Sequence, residues 1–168
     1  TLTDGNLIVA NGHGVDFAAQ TASSGGSTGN EVLDHYEEGT WIPQIYLQNT
    51  TDQSAASNQV QSGTYTKVGN IVTVMLYLDF TLGSSLVNDN IGVKNLPFTQ
   101  DNVTYRTTTS TLTATGTDLD AGVAYTFRGS INNTILLLLT QAGAGNLANE
   151  VGTGNSRIFQ STITYYSS

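Results

Sequence analysis

The chain has no cysteine. That excludes a disulfide framework and any zinc–thiolate site. Charge is scarce as well. Charged residues make up 11% of the 168 residues, less than half the roughly 25% of ordinary soluble domains. Only five are Lys or Arg, and thirteen Asp and Glu bring the net charge to −8. A nucleic-acid partner needs a cationic stripe, which this composition does not supply. The negative surplus also disfavours docking to anionic lipid or phosphate by simple attraction. Neutral glycans, cationic patches and metal-bridged ligands remain. Long apolar runs are missing too. The longest, Ile135 to Leu139, is far too short to span a bilayer, so no membrane insertion is expected.

Thr, Ser, Asn and Gly stand where the charge would be, a mix that favours strands and turns over helices. The length suggests one domain plus an appendage. The first residue, Thr1, reads as the start of a C-terminal piece of a longer protein. Residues 1–39 are expected to form a stem, a linker and a short junction helix, and residues 40–168 a head. Leu7-Ile8-Val9 and Val15-Asp16-Phe17 read as extended pieces hinged at Asn11-Gly12-His13-Gly14. So few apolar groups cannot bury a core alone, but three copies wound together can, which predicts a homotrimer. The run 21–30 is a flexible linker by composition. Asn30 reads as a helix N-cap, with Leu33 and Tyr36 on one face and Gly39 as the stop.

From Thr40 on, the pattern predicts an all-β head of eight strands near 41–47, 63–68, 71–82, 91–96, 103–113, 122–131, 134–140 and 157–166. The third is clearest: Val72, Val74, Leu76, Leu78 and Phe80 fall on one face, Thr73, Met75, Tyr77 and Asp79 on the other. Ile135 to Leu139 is apolar on both faces, which suits a strand with the sandwich core on one side and a neighbouring subunit on the other. Many short strands with Gly/Asn/Asp turns point to an antiparallel β-sandwich, jelly-roll-like.

Alternating strand direction sorts the connections. Those at 48–62, 83–90, 114–121 and 141–156 fall at the end away from the stem, and 69–70, 97–102 and 132–133 fall beside it. Long polar loops clustered on a rigid sandwich are a usual way to present a binding surface. The distal rim then holds Asn49, Asp52, Asn58, Asn88, Asp89, Asn90, Asp118, Asp120, Asn146, Asn149 and Glu150, flanked by Lys94 and Arg157. Carboxylates and amides hydrogen-bond sugar hydroxyls, or hold a Ca²⁺ that does. Asp118 and Asp120 resemble half a calcium loop, but no later Glu completes an EF-hand pattern. The competing reading of each residue is a solvated turn former.

Catalytic signals are thin. Glu37 and Glu38 suggest paired acids, but neighbours at a helix end do not face each other, so capping or a subunit contact is favoured. His13, near a three-fold axis, could bring three imidazoles to one metal, yet the H-x-H pattern is absent. His35 has no nucleophile elbow near it. The glycines of 142–154 lack the G-K-[ST] of a phosphate loop. Trp41 and Tyr36 could stack on a sugar, but their place beside the stem favours packing. One of Tyr165 and Tyr166 should be buried, the other near the stem surface. No enzyme activity and no cofactor are expected; for a metal the sequence offers no support.

Several motifs resemble the C-terminal head of tail-fibre and tail-spike proteins of tailed bacteriophages, especially phages of aquatic bacteria. Gly14-Val15-Asp16-Phe17, a Ser/Gly linker and Leu33-Asp34-His35-Tyr36-Glu37-Glu38-Gly39-Thr40-Trp41-Ile42-Pro43 are similar to that family's G-I-D-F and L-D-D-Y-E-E-G-T-W-T-P. His35 replaces the second Asp, and Ile42 replaces Thr. Gly63 to Asn70 followed by Ile71-Val72-Thr73-Val74 resembles its G-x-Y-T-K-V-G-N-x-V strand pair. Asn95-Leu96-Pro97-Phe98-Thr99 resembles G-L-P-F-T, with Asn95 for Gly. Ile163 to Tyr166 resembles the closing aromatic strand. The resemblance implies a virion-located homotrimer, joined to the rest of a fibre through its N-terminus. Its partner would be a host-surface polysaccharide or outer-membrane component. A purely structural trimerisation cap, a depolymerase spike domain and a bacterial adhesin are the alternatives.

Overall fold

The computed structural model describes residues 8–10, 13–17, 19, 32–33, 35–48, 56–83, 90–103, 108–115, 125–140 and 156–168. Its strands are β1 (Val15–Asp16), β2 (Val32–Leu33), β3 (Tyr36–Trp41), β4 (Gln44–Leu47), β5 (Ala56–Val68), β6 (Ile71–Leu82), β7 (Ile91–Lys94), β8 (Thr109–Thr115), β9 (Tyr125–Gly129), β10 (Leu136–Thr140) and β11 (Arg157–Tyr166). No helix occurs among the described residues. A five-stranded sheet has the order β3-β5-β6-β11-β8, a four-stranded sheet β4-β7-β10-β9, and β1 pairs with β2 alone. All pairs are antiparallel. The protein is all-β and sandwich-like, as its composition predicts.

The core follows from period-two alternation. Val72, Val74, Leu76, Leu78 and Phe80 of β6 are each at most 3% exposed, as are Phe159, Ile163 and Tyr165 of β11. They meet Ile45, Leu47, Ile91, Val93, Phe127, Leu136 and Leu138 from the other sheet in one apolar cluster. Each such side chain gains about 1.5–3 kcal/mol by leaving water. Phe159 stands edge-on to Phe80 at 4.8 Å and to Phe127 at 6.0 Å, tying the sheets together. In the run Ile135 to Leu139, Leu136 and Leu138 are buried, whereas Ile135, Leu137 and Leu139 are half-buried.

The expected junction helix is absent. Tyr36–Trp41 is a strand paired along its length with Gly63–Val68. The reason is tertiary. Gly39 lies opposite Tyr65 and Gly63 opposite Trp41, and each glycine is covered by that ring. A Cβ at Gly39 would stand 2.6 Å from the Tyr65 hydroxyl oxygen, and one at Gly63 would stand 2.3 Å from the indole nitrogen. Gly39 therefore makes room for an aromatic ring and does not stop a helix. Asn30, the expected cap, and the linker 21–30 lie outside the described residues.

The predicted strand 41–47 is two strands. The chain leaves the five-stranded sheet after Trp41 and joins the four-stranded one at Gln44, passing Ile42 and Pro43. Side chains satisfy the carbonyls at this switch: Gln61 Nε2 donates to Pro43 O at 2.8 Å, and Asn95 Nδ2 to Ile42 O at 3.3 Å. The predicted strand 63–68 begins earlier, at Ala56, because β5 also runs beside β4. Asn58 Oδ1 accepts the Ile45 N–H at 3.0 Å, and the β5–β6 register shifts between Asn58 and Val60. The predicted strand 103–113 lies at Thr109–Thr115, and residues 104–107 lie outside the described residues.

The opposite side of the sandwich closes through side chains. Ser110 Oγ accepts the Phe127 N–H at 2.8 Å, and Thr108 Oγ1 accepts the Gly129 N–H at 3.0 Å. Thus β8 and β9, edges of different sheets, are held together without a ladder. The two sheets are joined along both sides, which protects edges that would otherwise offer pairing groups.

Candidate functional site

Direction and register fix which ends of the strands come together. Ala56 pairs with Leu82, Leu47 with Ile91, Thr140 with Tyr125, and Ile158 with Thr115. The connections after β4, β6, β8 and β10 therefore all start and finish at one end of the sandwich. Each passes from one sheet to the other. The opposite end carries the Gly69-Asn70 turn, the Gln100–Ser167 bridge and the β9–β10 turn. The chain reaches β3 at this second end, where His35 O accepts the Gly69 N–H at 2.8 Å. The split of the predicted first strand leaves this sorting intact, because both halves run the same way.

Of the rim residues singled out from sequence, Asn58 and Asn90 are described. Asn49, Asp52, Asn88, Asp89, Asp118, Asp120, Asn146, Asn149 and Glu150 lie outside the described residues. Asn58 is not in a loop: it sits within β5, and its amide oxygen holds the Ile45 N–H. Asn90 is at the rim end. Its Nδ2 donates to Gln48 Oε1 at 2.7 Å, and its carbonyl accepts the Gln48 N–H at 2.9 Å. This clamp fixes where the chain leaves β4 and returns into β7.

Of the two cations expected to flank the rim, one is buried and the other closes β7. Arg157 opens β11 at that end, but it is only 4% exposed. Its Nη1 donates to Ser156 O at 3.4 Å, and the Ser156 hydroxyl donates to Asp79 Oδ1. Lys94 ends β7 and pairs with Gln44. An arginine in an alternating strand reads from sequence as a surface residue; that it falls at an inward position is set by the β6–β11 register.

At the end where β3 begins, both candidate acids accept hydrogen bonds from tyrosines of the chain. Glu37 and Glu38 point to opposite faces of β3. Glu37 accepts the Tyr65 hydroxyl at 2.5 Å, and Glu38 accepts the Tyr36 hydroxyl. Each bond holds its phenol above the ordinary range, with desolvation and the carboxylate charge adding to it. Trp41 is 7% exposed and donates its indole N–H to Met75 O at 3.2 Å, so it packs inward. Tyr36 is 64% exposed. Tyr165 is buried and Tyr166 lies at the surface, as their alternation predicts. The Tyr165 hydroxyl donates to Phe98 O at 3.2 Å and accepts the Phe98 N–H at 3.3 Å. Burial pushes its ionisation far above the usual phenol range, against a lowering by the backbone bond to Phe98. Lys67 Nζ stands 4.6 Å from the centre of the Phe98 ring, a cation–π contact on the same corner.

Among the described residues no three His, Asp or Glu side chains come together to hold a metal. No family model, curated protein or solved structure matches the chain.

Proposed function

We propose that this chain is the receptor-binding head of a tailed-phage tail fibre or tail spike. It is a homotrimer with a jelly-roll-like head that attaches to a host-surface glycan or outer-membrane component, without enzymatic activity. The observation that carries this reading is the polarity of the sandwich. The connections after β4, β6, β8 and β10 all leave the end opposite to the one where the chain enters β3. Such an end-on array suits a tip presented by a shaft. The sequence of those connections is rich in Asn, Asp, Ser and Thr, groups that exchange hydrogen bonds with sugar hydroxyls. Three weak sites on one rigid trimer give avidity beyond that of a single site.

A structural capping role is the second reading. The observation favouring it is that both described rim amides, Asn58 and Asn90, bond within the chain itself.

The test is adsorption of the fragment to intact candidate host cells. Exchanging 84–89 and 116–121, the parts of these connections outside β8 and the Asn90 clamp, for short Gly/Asn turns should abolish adsorption and leave assembly and melting nearly unchanged. Adsorption that survives this exchange, but is lost on altering 97–102 or 132–133, would put the binding face beside the stem. A fragment that never adsorbs supports the cap. Sugar release from host polysaccharide would point to the depolymerase reading.

A further inference from the structure

The outward face of the five-stranded sheet is largely a surface of hydroxyls. The registers align Thr64, Met75, Thr162 and Thr111 in one row, and Ser62, Tyr77, Gln160 and Thr113 in the next. Met75, Tyr77 and Gln160 are the long side chains among them, and all three are exposed. β8, which ends the sheet, carries Thr at each outward position from Thr111 to Thr115. Short threonines beside long neighbours leave a hollow of about 240 Å³. Met75, Thr111, Thr113, Gln160 and Thr162 line it, and the buried Leu76 and Ser161 form its floor.

The floor is fixed from below. Ser161 Oγ donates to Thr111 O at 2.6 Å and ties β8 to β11 under the hollow. The Trp41 indole holds the Met75 carbonyl from the core side. The lining side chains are uncommitted by contrast. Among the described residues, no hydrogen bond engages the side chains of Thr111, Thr113, Gln160 or Thr162. Other hydroxyls of the same strands are taken: Thr73 and Thr164 bond each other at 3.1 Å, and Ser110 holds the Phe127 N–H. Every lining group is uncharged. The outward charges of the sheet's strands are Glu38 and Asp79, both acidic, whereas Lys67 lies over Phe98 and Arg157 is buried.

We infer that this hollow binds one neutral pyranose unit of a glycan. Three hydroxyls and an amide offer donors and acceptors together, as a ring of sugar hydroxyls requires. Met75 and Tyr77 add apolar surface for the C–H face of the ring. An apolar ligand would strand four hydrogen-bonding groups, which disfavours it. The acidic flanks repel a uronate, a sialate or a phosphate. Size agrees as well. Two rows about 7 Å apart, across three strands spanning about 10 Å, admit a sugar ring and not a longer segment. The inference rests on the glycan reading above for the class of ligand, and adds to the rim a site on the flank of the sandwich.

Met75 is the only methionine, so labelling methionine methyl groups with carbon-13 gives a single NMR signal at the wall of the hollow. The probes are the methyl glycosides of glucose, galactose, mannose and N-acetylglucosamine, with glucuronate as the charged control. At least one neutral glycoside should shift the signal saturably in the millimolar range, and glucuronate should not. Gln160→Ala with Thr162→Val should weaken that binding about tenfold or more, the loss expected for two or more hydrogen bonds. Thr162→Ser keeps the hydroxyl and should stay within about threefold of the wild type. Circular dichroism verifies that each variant is folded. A signal unmoved by all the neutral glycosides, or a shift that never saturates, overturns the site. So does a saturable shift that the Gln160→Ala, Thr162→Val variant leaves unchanged. Host-cell adsorption with a silent Met75 signal removes the hollow alone and leaves the rim reading standing. A saturable shift in a fragment that adsorbs to no host keeps the sugar site and removes the receptor role.

Discussion

Trp41 and Tyr65 each cover a glycine of the facing strand, a reciprocal arrangement that fixes β3 on β5. Trp41→Ala removes a buried ring together with its bond to Met75 O, and should cost about 3–5 kcal/mol in denaturant unfolding. An unchanged midpoint would mean that the ring is exposed, and would reopen it as a sugar platform. Tyr165 gives a pH signature. Its folded ionisation lies above its unfolded value, so the native state holds the proton longer. Its contribution is complete below about pH 10, where the unfolded phenol is still protonated, and declines as pH rises above that. Urea titrations should therefore lose stability on the alkaline side by up to about 1.4 kcal/mol per pH unit from this group. In Tyr165→Phe that part of the slope should vanish, at a constant cost of about 1 kcal/mol for the lost hydroxyl bond. An identical alkaline limb in the two proteins would refute the assignment.

Among the elements, the β9–β10 turn depends on a residue far from it in sequence. Gln100 is 5% exposed, and its Nε2 donates to Ile135 O at 2.8 Å and Asn133 O at 3.3 Å. Its backbone bonds Asn133 and Asn132 as well, and it bridges to Ser167. One residue thus ties together the turn, the chain between β7 and β8, and the end of β11, its side chain holding the turn and its backbone the rest. Asn132, with φ of 55°, makes the bend, as Asn more readily does than most residues. Gln100→Ala leaves those carbonyls without that donor and should cost about 1–3 kcal/mol. Hydrogen exchange should show the loss first in β9 and β10, with β6 protected as before. Uniform loss over all strands would mean that the turn is no separate unit. Asn95 is a related case. Its φ of 70° is the kind that glycine adopts freely, and Asn tolerates it while bonding Ile42 O.

For the whole molecule, the head is closed on itself and the segment before it is not. β1 and β2 touch through two residue pairs, and Val15, Phe17 and Leu33 are exposed at 37%, 42% and 45%. A two-stranded pair of this size has no independent stability in water. Deleting everything before Leu33 should leave the melting temperature of the head within about 2 °C, because none of its core residues is removed. The same deletion should weaken the proposed trimer, as read by light scattering across a dilution series. A truncated head that fails to fold would show that the segment before Leu33 is part of the core.

The sequence by itself determined the class of fold. Strict alternation over Ile71–Leu82 and Arg157–Tyr166 commits one face of each strand to an apolar core, because side chains change sides with every residue. The scarcity of charge, the absence of cysteine and the burial of one of two adjacent tyrosines follow from the same local information. Strand direction was readable from turns, and with it which connections share an end, although the expected first strand is in fact two. Tertiary structure alone decided the rest. Glu37-Glu38-Gly39 has the local character of a helix end, but pairing with β5 gives its backbone partners, and Tyr65 needs the space over Gly39. Asn58 looks like a turn former, but the switch of the chain between sheets brings the Ile45 N–H to its amide. Arg157 reads as a rim cation, but the β6–β11 register turns it inward. In each case the deciding contact lies more than ten residues away in sequence, so no local pattern could contain it.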